Sequence, residues 1–214
     1  MNIYYTLTDK LGRTRKIKVE DEFEKGIISV DKKILDKYTT TFIIRLLTQA
    51  FEIVENKKEW IKKMKKYLDG RKEIIPSYEL ENSKLLEHDE LKDIGKALLK
   101  RNFEKINNYS ISNIKFLLKS KFEVWLYAIN DYINCISNVL LATRLIFKYN
   151  LEDEFQKELR NLKIVLKDLL SKFDRDEIID KLSYKIKNGD ETVEMFLKII
   201  DDEKMKKELI IRLI

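Results

Sequence analysis

Apolar and polar positions follow two different periods along this chain. Near the start, Ile3, Tyr5 and Leu7 recur at every second position, and Arg15-Lys16-Ile17-Lys18-Val19 alternates in the same way. Period-two alternation marks half-buried strands, and the intervening Asp9-Lys10-Leu11-Gly12-Arg13 has the composition of a turn, so a β-hairpin is expected. Gly26 followed by Ile27-Ile28-Ser29-Val30 allows a short third strand. A lone hairpin is marginal in water, so this module has to pack on helices or on a partner.

From Asp31 onward the period is that of helices. Asp31 can cap a short helix through Tyr38, and Thr39 to Thr41 can start another that carries Phe42, Ile43, Leu46, Leu47, Ala50 and Ile53 or Val54 at helical spacing. The pattern allows that helix to run on through Trp60, Ile61, Met64 and Leu68 to a stop at Gly70. The single proline, Pro76, then makes Arg71 to Ser77 the clearest linker. Leu85, Leu86, Leu91, Ile94, Leu98 and Leu99 lead into Phe103 and Ile106, with a pause at Asn107-Asn108, and Ser110 or Ser112 can cap another helix. That helix is long, with apolar residues from Ile114 to Leu140 and an end near Asn150. Helices at about 151–173, 175–188 and 191–213 complete the chain, the last two separated by Asn188-Gly189-Asp190. The expected architecture is mainly α, a multi-helix bundle with a small N-terminal β-hairpin module. Its segments are a β module over 1–30, a helical core domain with long helices over 31–150, and a C-terminal helical extension over 151–214.

Composition agrees with this and narrows the class. Five Gly and one Pro in 214 residues leave few positions for strand punctuation or phosphate-cradling loops. A single Cys excludes a disulfide scaffold, and the length suffices for a core without metal staples. Abundant Lys and Glu fit the surface ion pairs of a thermophile, and an AT-rich genome would enrich the same Lys codons. No uniform apolar segment comes after Met1, and the most apolar stretch, Cys135 to Phe147, is interrupted by Ser137, Asn138, Thr143 and Arg144. Neither a secretory leader nor a membrane span is expected, and the location expected is cytoplasmic.

Candidate chemistry is sparse. One His, His88, and one Cys, Cys135, offer no zinc spacing and no nucleophile–base set, and neither glycine-rich nucleotide loop is present. His88 reads as a surface residue near a helix start, and Cys135 as a small core residue. Acidic groups such as Asp201-Asp202-Glu203 and Asp190-Glu191 with Glu194 leave a carboxylate magnesium nuclease as a distant third reading, since acidic first turns ordinarily complement helix dipoles. No catalytic residue, cofactor or metal is assigned, and enzymatic activity is not expected.

The net charge sharpens the picture. It is +6, and Lys57, Lys58, Lys62, Lys63, Lys65, Lys66, Arg71 and Lys72, set against Glu59 and Asp69, account for all of it. Trp60, Ile61, Met64 and Leu68 share one helical face, so the lysines project from the other as a cationic ridge. Such a ridge suits nucleic-acid phosphates or an acidic partner, and any nucleic-acid contact would be sequence-independent and salt-sensitive. The alternative is a solvated helix face. Arg13, Arg15, Lys16 and Lys18 make the hairpin basic as well. Trp125 with Phe116, Phe122 and Tyr127 reads as core first and as a base-stacking platform second.

The stretch from Pro76 to Asn107 resembles the GINS family of replication-fork proteins. Pro76, Tyr78, Glu79, Leu80, Leu85 and Leu86 match the family's helix opening, and Leu91, Ile94, Leu98, Arg101, Lys105 and Ile106 match its second helix. Ile114 to Ser120 is similar to the family's long bundle helix. The resemblance covers about residues 76–145, lacks the Pro/Trp-containing strand segment of the family's β domain, and does not account for 151–214. It implies a non-catalytic scaffold subunit of an oligomer, homo- or heteromeric, bridging the replicative helicase and a RecJ-like protein in archaeal-type DNA replication. Arg101 and Lys105, which share a helix face, together with Trp125 and Tyr132, are the expected interface or structural residues. The alternative is a viral or plasmid-type helical protein that binds nucleic acid nonspecifically through the Lys-rich helix.

Overall fold

The computed structural model describes the backbone of residues 2–108, 122–171, 174–190 and 192–213, and their side chains apart from 105–108, 122–133, 169 and 177. The fold is mainly α with a small N-terminal β-hairpin. The chain packs as two compact units, Met1–Leu99 and Lys100–Ile214, a coarser division than the three segments expected from the sequence.

In the first unit, β1 (Tyr4–Thr8) pairs antiparallel with β2 (Thr14–Lys18) in the register Tyr4↔Lys18 to Thr8↔Thr14. The turn is tied by Asp9, whose carboxylate accepts from the backbone N–H groups of Leu11 and Arg13 and from Arg13 Nε. The Arg13 backbone bond, first among these, holds the Asp9 carboxyl below the usual carboxylate range. Gly12 takes φ +74°, a conformation that a side chain would strain.

The third strand expected at residues 27–30 does not form. Residues Asp21–Ser29 are helix α1, in which Phe23, Gly26 and Ile27 are buried together at helical spacing. Asp21, Glu22 and Glu24 complement its N-terminus, and Gly26 is present because a Cβ there would lie 2.5 Å from Ile34 Cγ2. Close packing overrides the strand propensity of Ile27 to Val30. Asp31 caps α2 (Lys32–Leu35), which stops short of the expected Tyr38, and Thr39 caps α3 (Thr40–Ile53) by accepting from Phe42 N–H.

Helix α3 is the centre of this unit and touches β1, α1, α4 (Lys57–Gly70) and α5 (Ser77–Asn82). Its Ile43, Ile44, Leu47, Ala50 and Phe51 are fully buried. It does not continue into α4 as the periodicity allowed: the chain extends at Val54, and Asn56, an N-cap that accepts from Glu59 N–H while its side-chain amide donates to Glu59 Oε2, restarts the helix. The stretch after Gly70 lacks regular structure, but Ile75 within it is buried, so it is packed chain inside the first unit. In α5, the buried Glu79 accepts from Arg45 of α3 through both guanidinium Nε, at 2.6 Å, and Nη2. This bond keeps the Arg45 guanidinium above its ordinary pKa. Turns carrying the buried Leu85 and Leu86 lead to α6 (Lys92–Asn108).

The second unit holds α7 (Phe122–Lys148), a 3-10 turn (Glu152–Phe155), α8 (Gln156–Leu170), α9 (Arg175–Lys187), α10 (Thr192–Ile200) and α11 (Glu203–Leu213). Helix α10 packs on α7 and α8, and α9 packs on α11. Ile179, Leu182, Val193, Met205 and Leu209 form one buried cluster among α9, α10 and α11. The final expected helix is broken at Asp201, φ +54°, and Asp202 caps the restart by accepting from Met205 N–H at 2.9 Å. Gly189, φ +72°, and Asp190, which accepts from Thr192 N–H, separate α9 from α10, at the break expected from Asn188-Gly189-Asp190. The expected start of the long helix, with Ser110, Ser112 and Ile114 to Lys119, lies outside the described residues. Among the described residues no helix is long and apolar enough to cross a membrane.

Candidate nucleic-acid interface

Helix α4 carries the basic run. Trp60, Met64 and Leu68 are buried on one side, Ile61 is half-buried beside them, and Trp60 Nε1 donates to Ile27 O at 2.8 Å, anchoring α4 to the end of α1. Four residues of helix advance about 6 Å and rotate only about 40°. Lys58, Lys62 and Lys66 therefore form a row on the side opposite that anchor. All three are exposed and make no ion pair with the described residues. The exposed Lys72, just beyond the helix, is likewise unpaired among the described residues.

The remaining lysines are partly engaged. Lys57 is half-buried with Nζ 4.5 Å from the centre of the Phe51 ring, where its charge meets the π face. Lys63 pairs with Glu59 at 2.8 Å and holds that carboxyl below its usual range. Lys65 reaches Asp93 of α6 at 3.5 Å. These exposed pairs are screened and hold their lysines weakly, so Lys63 and Lys65 stay at the margins of the row.

Arg71 is not part of this surface. Its side chain is only 14% exposed, and its guanidinium donates to Thr40 Oγ1 at 2.6 Å, Tyr67 Oη at 2.6 Å, Tyr38 O at 2.9 Å and Glu73 Oε1 at 2.9 Å. Glu73 in turn accepts from Thr40 N–H at the start of α3. Burial pushes the Tyr67 phenol above its usual range, and its O–H donates to Asp36 Oδ1 at 3.1 Å. The arrangement joins the end of α4 to the chain between α2 and α3. Nothing in the spacing around Arg71 announces it, because Asp36, Thr40 and Glu73 are brought there by the fold.

The other residues singled out by the sequence occupy varied settings. Arg101 is half-buried with partners of its own, while the side chains of Lys105, Trp125 and Tyr132 lie outside the described ones. His88, expected at the surface, is instead half-buried, its ring edge-on to Phe51 at 4.9 Å, because the turns after α5 fold it onto α3. Cys135 is buried in α7. The carboxylates of 201–203 are spent on structure: Asp202 caps α11 and meets Arg175 at 3.5 Å, Asp201 lies 3.8 Å from Lys163, and Glu203 pairs with Lys206 at 2.7 Å. No cluster of three metal-ligating side chains occurs among the described residues.

The α4 row is thus a one-dimensional array of solvated positive charges on a rigid, buried anchor. It can neutralise a line of phosphates. The chain matches no family model, no curated protein and no solved structure.

Proposed function

We propose that this is a non-catalytic binding protein that holds the phosphate backbone of nucleic acid through the outer face of α4, without regard to base sequence. The observation that carries the reading is the row Lys58, Lys62 and Lys66, exposed and making no close ion pair among the described residues on a helix whose opposite side is buried. Three neutralised phosphates release counterions, so log affinity for duplex should fall with log salt at a slope of about −3. Fluorescence anisotropy with oligonucleotides of scrambled sequence tests this. Equal affinities for all sequences and a slope flattened by Lys58→Glu, Lys62→Glu and Lys66→Glu together are expected. Absence of binding at low salt, or a slope that the triple variant leaves unchanged, overturns it.

A second reading is an assembly subunit, GINS-like, that bridges helicase components at a replication fork. It is favoured by Ile74 and Tyr78, which are 36% and 53% exposed on either side of Pro76, where the resembling stretch opens. Two large apolar side chains exposed four residues apart in sequence suit a subunit contact. Light scattering of the chain alone and with helicase components separates the readings: a monomer indifferent to them removes the second and leaves the first standing.

A further inference from the structure

We propose that the outer edge of β2 receives an extended, acidic segment of a partner protein as a third strand of the sheet. The two edges of the hairpin differ. On the β1 side, Tyr4 N–H is occupied by Gln49 Oε1 of α3 at 3.0 Å, and α3 packs against the strand. The β2 side has no such cover among the described residues. Val19 N–H donates to Ile3 O, and Asp9 N–H to Arg13 O, which fixes the alternation of the ladder. Tyr5↔Ile17 and Leu7↔Arg15 then exchange bonds within the hairpin, and the N–H and C=O groups of Thr14, Lys16 and Lys18 turn outward. All three residues are exposed, and their backbone groups meet no other partner among the described residues.

Charge selects the occupant. Arg13, Arg15, Lys16 and Lys18 crowd this edge; Arg13 pairs with Asp9 and Lys18 with Asp21, while Arg15 and Lys16 meet no carboxylate among the described residues. A second copy of β2 would set cations opposite cations, which disfavours self-pairing. A segment bearing Asp or Glu at alternate positions gains both the backbone ladder and charged cross-strand pairs. This surface is separate from the α4 row, and each stands or falls without the other.

The probe is a fluorescein-labelled peptide of about ten residues alternating Glu and Val, a length that spans the strand. Anisotropy should show binding to the full chain, and hydrogen exchange should show new protection at Thr14, Lys16 and Lys18, with none on α4. Methylating alternate backbone nitrogens along one edge of the peptide should weaken binding about tenfold, because two or more ladder bonds are lost. Thr14→Pro removes an outward donor without touching the ladder or the charge, and should weaken the peptide several-fold while leaving oligonucleotide binding unchanged. If Thr14→Pro unfolds the chain, the methylated peptide against the native chain carries the same test. Equal binding of methylated and unmethylated peptides, protection elsewhere, or no binding at low salt overturns the proposal.

Discussion

Lys62 and Arg71 belong to one basic run, yet the structure puts them to opposite uses. Lys62 stands exposed on the outer face of α4 and makes no close ion pair among the described residues; Arg71, just past the end of the same helix, is 14% exposed and ties α4 to the chain around Thr40. The difference arises from geometry that charge counting does not contain. On a helix anchored by Trp60, Met64 and Leu68, direction is set by rotation about the axis, so Lys62 must point away. Beyond Gly70 the helix gives way to extended chain at Arg71, and this next cation is 14% exposed. A local excess of charge therefore measures how much positive charge is present, and the anchor decides how much of it a polyanion can reach.

The largest effect should come from breaking the inward member of this pair. Arg71→Ala leaves Tyr38 O without this donor and removes the bonds to Thr40 Oγ1 and Tyr67 Oη, and should destabilise the chain by about 2–3 kcal/mol in urea unfolding. Oligonucleotide affinity of the folded fraction should not change. If Arg71 served the surface, the same variant would lose affinity and keep its stability.

A smaller loss is expected from the anchor itself. Trp60→Phe keeps the aromatic packing beside Phe51 but leaves Ile27 O buried without its donor, at a cost of about 1–2 kcal/mol by the same measurement. Because the lysine row is aimed by this anchor, the salt slope of nucleic-acid binding reports whether α4 keeps its orientation. An unchanged slope with lowered stability is the expected result.

The second unit repeats the contrast between neighbours of like charge. Asp201 is exposed, whereas Asp202 caps α11 and meets Arg175. The Met205 N–H and then the Arg175 guanidinium hold the Asp202 carboxyl below its usual range. It therefore stays ionised in the folded chain at acidities where the unfolded chain has already taken up its proton. The unfolded state binds more protons there, so this contribution is present above about pH 4 and is lost as the pH falls through the lowered value. Asp202→Asn keeps a capping oxygen and removes the titration. Acid unfolding should become shallower, with an effect under about 1 kcal/mol because the pair is partly solvated.

Rules that act within a few residues were legible in the sequence. The caps at Asp31 and Thr39, the turn around Gly12 and the break at Asn188-Gly189-Asp190 come from side chains that bond their own backbone or from glycine at positive φ. The Asn56 cap on Glu59 N–H was equally local, but an unbroken apolar period across it masked the signal. The features that escaped reading were set by distant partners. Ile27 to Val30 has the composition of a strand and becomes the end of α1 because Gly26 lets Ile34 approach. His88 looks solvated from its acidic neighbours and rests on Phe51. The candidate site divides along the same line: the lysine row is a product of helical rotation alone, whereas the withdrawal of Arg71 depends on residues that are brought together only on folding.

The smallest change in stability should come from the outward residues. Lys62→Ala and Lys66→Ala remove exposed charges that make no ion pair among the described residues, and alanine favours the helix, so unfolding should shift by no more than about 0.5 kcal/mol, alone or together. Binding should respond in the opposite proportion. On the proposed reading, each substitution would remove one phosphate contact and should reduce the salt slope for duplex by about 0.9, additively, if charges one turn apart act on separate phosphates. Set beside Arg71→Ala, the pair forms a crossed test: one variant lowers stability without altering the slope, the other alters the slope without lowering stability. A correlated loss of both in either variant would mean that α4 does not divide into a structural and a binding side. Alanine in place of Lys63, which already shares its charge with Glu59, should move the slope less than either Lys62 or Lys66, and so marks where the row ends.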